Sequence, residues 1–274
     1  MYHPEPDGLA EYIELMNVSD SVTLDLAGVK FTNGIDFDFT GSSVTSLAPG
    51  ERVLVVRDLA AFELAYGEGL PVAGVFENST SLSNAGEKLK LEDSSNSTIK
   101  EFSYNDKLPW PVAADTLGYS IVLRAPGQNL DPSESTHWRA SVAPGGTPGS
   151  SDGTLLAGNP TDDLDGDGLN ALLEHALGSS DNDATQSGPP SASRIIIDGI
   201  LYDSFTYTVR EVADDVRTSV ETTTDLQNWS NNPDDFVDLI VTSNGDGMVT
   251  RTIRLAKPAL VDGKRFFRVK VELR

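Results

Sequence analysis

Short runs of alternating apolar and polar residues constrain this sequence more than any other feature. In the clearest run, Ile35, Phe37 and Phe39 alternate with aspartates, which places three large apolar side chains on one face of a strand. Turn signals such as Asn33-Gly34 separate these runs. Strands are predicted over residues 12–16, 35–39, 52–56, 87–92, 98–104, 119–123, 201–210, 217–222, 239–242, 248–255 and 265–271. The sequence therefore predicts a mainly β chain with antiparallel sandwiches.

Composition excludes several classes of function. The chain contains no cysteine, which rules out disulfides, thiol catalysis and cysteine-bound zinc. Its formal net charge is −22, so we expect no positively charged surface that could bind the phosphates of a nucleic acid. We therefore expect no nucleic-acid partner. No apolar run approaches the roughly 18 residues of a membrane-spanning helix, so we expect no membrane span.

Three segments are predicted along the chain. Residues 1–149 form the first β-domain, which includes a short helix over residues 59–66 that begins after Asp58 and ends at Gly67. Glycine, proline and serine crowd residues 143–151, which predicts a linker there. Residues 150–192 form the second segment, a linker with the motif described below, and residues 154–192 within it carry seven acids and no lysine or arginine. Residues 193–274 return to the β pattern and form a second small β-sandwich domain.

The first segment carries a family resemblance in several ordered motifs. These are Glu11-Tyr12-Ile13-Glu14-Leu15, Leu26-Ala27-Gly28, the stretch from Leu47 to Val56, the stretch from Ser81 to Leu89, Gly118-Tyr119-Ser120-Ile121, Trp138-Arg139-Ala140-Ser141 and Thr147-Pro148-Gly149. They resemble bacterial lamin-tail domains over about the first 150 residues. The resemblance implies an immunoglobulin-like β-sandwich without a disulfide. Family members usually have most of a first strand before the equivalent of Met1, so we expect that strand to be truncated or the chain to be a fragment.

One motif has a chemical mechanism. Asp163, Asp165, Asp167, Gly168 and Glu174 match the twelve-residue calcium pattern D-x-D-x-D-G-x₅-E. A hard cation such as Ca²⁺ takes six to eight oxygen ligands, and this spacing can turn four carboxylates toward one centre. A solvated Asp-Gly linker is the simpler alternative. We predict that residues 163–174, here called the acidic loop, bind calcium.

The residues around this motif refine the prediction. The backbone carbonyl of Leu169 is expected as a further ligand, and a water is expected where Ala171 offers no side-chain oxygen. Apolar residues then recur at helical spacing up to Leu177, which predicts an amphipathic helix packed on one or both β-domains. Asp181 and Asp183 follow that helix and could be either outer ligands or turn residues.

The setting of the loop differs from that of a sensor hand. Gly158-Asn159-Pro160 breaks any helix before the loop, and His175 is expected on the exposed face of the helix after it. The arrangement is similar to dockerin-like or thrombospondin-type calcium loops, an EF-hand-like motif without its first helix. An affinity near the extracellular range of about 10⁻⁴–10⁻³ M is therefore expected.

Other functional readings rest on fewer residues. Trp110 and Trp138, with Tyr104, could form an aromatic platform for sugars or could pack in the core. Paired carboxylates such as Asp36 and Asp38 could act as glycosidase acids, but they fall on a solvent face. No nucleophile–base pair can be assembled from the motifs present, so we expect no enzyme.

The sequence thus favours a non-catalytic structural or adhesion module with a structural calcium loop. The lamin-tail resemblance, together with a similarity of residues 219–229 and 265–269 to C-terminal β-domains of secreted bacterial proteins, implies a secreted or cell-surface location in a bacterium. It also implies association with a larger extracellular protein and an unknown protein or glycan partner. A carbohydrate-binding module is the alternative.

Overall fold

The computed structural model describes residues 1–185, 189–245, 247–260 and 263–274. Within them the chain forms two compact units, Met1–Asp152 and Gly153–Arg274. Strands dominate both units, as the alternating patterns predict. The limits of the three predicted segments stay a prediction.

Eleven strands belong to the first unit among the residues described. They are β1 (Tyr12–Met16), β2 (Leu24–Asp25), β3 (Lys30–Asn33), β4 (Phe37–Asp38), β5 (Ser46–Leu47), β6 (Arg52–Val56), β7 (Val72–Val75), β8 (Lys88–Glu92), β9 (Thr98–Ser103), β10 (Tyr119–Leu123) and β11 (Trp138–Pro144). The helices are α1 (Leu59–Tyr66) and α2 (Ala113–Thr116), with 3₁₀ turns at Pro126–Gln128 and Ser135–His137. The sheets have the orders β1-β6-β7, β2-β5, β4-β3-β8-β9 and β10-β11.

The core of the first unit lies between two of these sheets. Val53 and Val55 of β6 pack with Phe31, Phe37 and other apolar side chains of the β4-β3-β8-β9 sheet. The opposite face of β6 is buried as well, against Phe62 of α1. Because α1 links the parallel strands β6 and β7, it covers this second face. The run over residues 53–56 is therefore continuously apolar rather than alternating.

The helix prediction is confirmed at both ends. Asp58 caps α1 by accepting a hydrogen bond from the Ala61 N–H at 2.9 Å. Gly67 follows the helix with φ of 90°, a conformation that side chains disfavour. The strands predicted at residues 12–16, 52–56 and 119–123 are found with the same bounds.

The predicted linker is wrong for residues 143–151. The Gly149 N–H donates to the Glu14 carboxylate at 2.6 Å, and the Tyr12 hydroxyl donates to the Gly145 carbonyl at 3.0 Å. Composition suggested a free tether, but these contacts with β1 hold the segment on the first unit.

The second unit contains six strands and one helix among its described residues. They are α3 (Ala171–Leu177), β12 (Ser191–Ile197), β13 (Ile200–Arg210), β14 (Val216–Thr223), β15 (Phe236–Gly245), β16 (Met248–Leu255) and β17 (Phe266–Leu273), with a 3₁₀ turn at Pro233–Asp235. Four strands form the sheet β12-β13-β16-β15, and β14 pairs with β17. The Phe205 ring of β13 stacks on the Phe267 ring of β17 at 5.1 Å, so the two sheets pack face to face. The mainly β, sandwich-like fold class is confirmed.

Candidate metal centre

The acidic loop lies in the second unit and leads into α3. Two backbone hydrogen bonds close it at its base, from Ala171 N–H to the Asp162 carbonyl at 2.7 Å and from Leu172 N–H to the Pro160 carbonyl at 3.2 Å. These bonds bring the start of the loop beside the start of the helix. The loop is therefore closed at its base, and its side chains can point toward one common centre.

Three aspartates converge inside this turn. Asp163, Asp165 and Asp167 each place a carboxylate oxygen within 4.8 Å of the others. Like charges at this separation repel one another unless a cation lies among them. The predicted spacing therefore brings the first three predicted ligands together.

Backbone N–H groups fix these carboxylates. Asp163 accepts from the Gly166 N–H at 2.8 Å, Asp165 from the Asp167 N–H at 3.1 Å, and Asp167 from the Leu169 N–H at 2.7 Å. Each bond is a local Asx-type contact between near neighbours. Gly168 has φ of 93°, and glycine reaches this region at little cost. Leu169 occupies the position predicted to offer its carbonyl, and that role stays a prediction.

Glu174 is the unusual member of the set. Its side chain belongs to α3 and is 1% exposed, yet neither carboxylate oxygen makes a hydrogen bond of good geometry, although the Ser179 hydroxyl lies nearby. The Oδ2 atom of Asp165 is also buried and without a partner. Burial raises the pKa of the Glu174 carboxyl above its usual value, and the charges of Asp165 and Asp167 raise this pKa further. A buried carboxylate without a partner is costly, so it needs a compensating group.

The helix holds Glu174 in place. The Asn170 side chain caps α3 by accepting a hydrogen bond from the Leu173 N–H at 3.0 Å. On its other side, α3 packs Ala176 and the half-buried Leu172 against Ala213 and Val216. The predicted amphipathic helix is confirmed, and it packs on the core of the second unit. The sequence analysis did not identify Asn170 as a cap.

His175 is not exposed, contrary to the prediction. Its side chain is 8% exposed, and Nε2 lies 3.1 Å from the Oδ1 atom of Asp215. The backbone carbonyl of His175 also accepts a hydrogen bond from Arg210 at 3.0 Å. The partner lies 40 residues further along the chain, so helical periodicity could not reveal it.

The two acids after α3 differ in their surroundings. Asp183 accepts hydrogen bonds from both the N–H and the hydroxyl of Thr185, as a turn residue does. Asp181 instead accepts from the N–H of Leu164, in the acidic loop, at 3.1 Å. The structure thus places Asp181 beside the loop.

The aromatic residues considered for sugar binding pack in the first unit. Trp110 and Tyr104 belong to its buried core, and Trp138 stacks on Phe102 at 5.0 Å. The Trp138 indole N–H donates to the Pro132 carbonyl at 2.9 Å. These contacts favour the core-packing interpretation of the aromatic residues.

Comparison with known proteins agrees with the fold of the first unit. The family model described as Lamin Tail Domain matches residues 1–106, which extends from the N-terminus through β9. The lamin-tail prediction is thus supported over those residues, and its closing motifs after residue 106 stay a prediction. Comparisons with curated proteins and with solved structures gave no match.

The family that this model represents consists of non-enzymatic, immunoglobulin-like structural domains. In the described part of the chain, none of the helices has both the length and the apolar character needed to cross a membrane.

Proposed function

We propose that this protein is a non-catalytic structural or adhesion module whose second unit binds a structural calcium ion. Asp163, Asp165, Asp167 and Glu174 would supply carboxylate ligands, with the Leu169 carbonyl as a further oxygen. Calcium would add the positive charge that these carboxylates lack.

The observation that carries this proposal is that Glu174 is buried without hydrogen bonds to its carboxylate. A solvated acidic linker would keep its carboxylates in water, where they need no partner. Glu174 is instead 1% exposed, with both oxygens unpaired, at the twelfth position of a loop whose aspartates converge. Oxygen ligands of this kind suit a hard cation, and the number of negative charges favours Ca²⁺.

The role we assign to the ion is structural. The converging aspartates lie in the loop and Glu174 lies in the helix that follows it, so an ion bound by both would order the loop and stabilise the docking of the helix. Affinities of about 10⁻⁴–10⁻³ M are typical of extracellular calcium modules. The lamin-tail resemblance implies a secreted or cell-surface location in a bacterium, with a larger extracellular protein as neighbour, and this location is part of the proposal.

Calorimetric titration of the full chain with Ca²⁺ tests the metal site. We expect binding of one ion by the wild type and at least a tenfold loss of affinity in Glu174→Gln. Asp162→Asn is the matched control, because the Asp162 carboxylate accepts from Asn159 at 2.8 Å and lies outside the ligand spacing. Absence of calcium binding, or equal losses in both variants, would contradict the proposal.

A further inference from the structure

The turn after α3 returns to the acidic loop. This turn, residues 179–181, is called the distal turn below. Asp181 accepts a hydrogen bond from Leu164, which lies 17 residues earlier and is the second residue of the acidic loop. The contact joins two segments that α3 separates in sequence. The Asp181 carboxylate is therefore fixed at the edge of the proposed calcium site.

The distal turn also faces Glu174. The hydroxyl of Ser179 is buried and, like both oxygens of Glu174, makes no hydrogen bond of good geometry. The side chains of Ser179 and Asp181 both approach the Glu174 carboxylate closely enough to interact with it. Asp165, Glu174 and Ser179 carry four of the eight buried side-chain atoms without a hydrogen-bond partner in the described part of the chain.

Glycine at position 178 makes this return possible. Gly178 ends α3 in the left-handed conformation, with φ of 84°, and its N–H donates to the Glu174 carbonyl at 2.7 Å. A Cβ atom at this position would lie 2.1 Å from the Cε atom of Met248. The chain therefore reverses sharply at Gly178 and packs closely against Met248. This sets the direction of the chain through Ser179 and Asp181.

We infer that the distal turn completes the calcium site, with Asp181 as a carboxylate ligand from outside the twelve-residue loop and Ser179 as a neutral oxygen beside it. This inference rests on the proposed calcium function. The acidic loop can offer six oxygens if Glu174 binds through both of its own, and calcium accepts up to eight. One ion would then hold both ends of α3, and calcium would order the distal turn as well as the loop.

Calcium titration of three full-length variants tests this inference. Asp181→Asn should lower the calcium affinity at least tenfold, because it removes a charged ligand. Asp183→Asn is the matched control, because it removes the same charge two residues away from a carboxylate that Thr185 already occupies. Screening at physiological salt should keep the effect of this control within twofold. Ser179→Ala should have an effect between those two.

Hydrogen exchange of the wild-type peptide over residues 178–185 gives a second readout that does not depend on folding of a variant. Added calcium should slow its exchange at least tenfold. If the wild type binds no calcium, the proposed function fails and the inference fails with it. If calcium binds and Glu174→Gln abolishes binding, but Asp181→Asn matches Asp183→Asn or the peptide shows no protection, the loop site stands and the inference is overturned.

Discussion

The two units of this protein differ in whether a buried charged side chain has an ion-pair partner. In the first unit, Arg139 is fully buried and pairs with Asp152, which also accepts from the Val142 N–H at 2.9 Å and the Thr147 hydroxyl at 3.2 Å. In the second unit, Glu174 is equally buried but its oxygens have no such partners. The first unit supplies a buried arginine as the counter-charge, whereas we propose that the second unit takes a cation from solution.

The difference separates a permanent interaction from a conditional one. Removing one member of a buried pair leaves the other charge uncompensated whatever the solvent contains. A buried acidic site without a built-in cation should instead gain stability in proportion to the free concentration of a metal that binds only the folded state. The stability of the first unit should thus be independent of calcium, and that of the second unit should depend on it.

The largest effect is expected from breaking the pair in the first unit. Asp152→Asn should lower the free energy of unfolding of that unit by about 3–5 kcal/mol, because it leaves Arg139 buried without its counter-charge. Unit-resolved hydrogen exchange measures this loss, which should be the same with calcium and with a chelator. Glu101→Gln is the control, since its pair with Lys88 is exposed and should contribute less than about 1 kcal/mol. If the loss of stability in Asp152→Asn changed with calcium, the proposed contrast between the two units would be wrong.

Removal of calcium should act on the second unit alone. A ligand at ten to a hundred times its Kd stabilises the folded state by about 1.4–2.7 kcal/mol. Hydrogen exchange in chelator and in excess calcium should therefore differ by this amount in β14, β17 and α3, and should agree in the strands of the first unit. Equal protection of both units by calcium would show that the dependence is not local to the acidic loop.

Gly168→Ala should weaken calcium binding without removing a ligand. A side chain at φ of 93° costs about 1–2 kcal/mol, which corresponds to roughly fivefold to thirtyfold in affinity if the strain falls on the bound conformation. Gly199→Ala is the matched control, because Gly199 has φ of 78° and open space around it but lies in the turn between β12 and β13. The control should reduce stability and leave the calcium titration unchanged. Similar calcium affinities in the two variants would argue against an ordered loop.

The smallest effects come from the two helix caps. Asp58→Ala and Asn170→Ala each remove a side-chain acceptor at a helix start, which costs about 1 kcal/mol. The Asn170 variant should also lower calcium affinity a few-fold, because α3 carries Glu174, whereas the Asp58 variant should not change it. Calorimetric titration of both variants distinguishes these outcomes, and an unchanged affinity in Asn170→Ala would mean that α3 and the ion are not coupled.

Local patterns predicted a large part of the fold. Strands β1, β6 and β10 and helix α1 were found with their predicted bounds because periodicity, caps and turns act over a few residues. The two-residue strands β2 and β5 are too short to show any period, and they were missed. The residues of the acidic loop were predicted from spacing alone, and the structure brings its three aspartates together.

The rest depends on partners that are distant in sequence. The segment over residues 143–151 has the composition of a linker, and only its contacts with β1 reveal that it is held. The burial of His175 depends on Asp215, and the position of Asp181 depends on a reversal at Gly178. Neither the missing partners of Glu174 nor its burial could be read from spacing, because both arise from the packing of α3.

The most direct test is the calcium dependence of the second unit in the wild type and in Glu174→Gln, measured as free energies of unfolding in chelator and in excess calcium. In chelator the variant should be at least as stable as the wild type, because it no longer buries an unpaired acid. In calcium the wild type should be the more stable by about 1–3 kcal/mol, so the order of stability reverses. If calcium changes both proteins equally, or if the wild type is more stable by the same margin in both conditions, the account is contradicted.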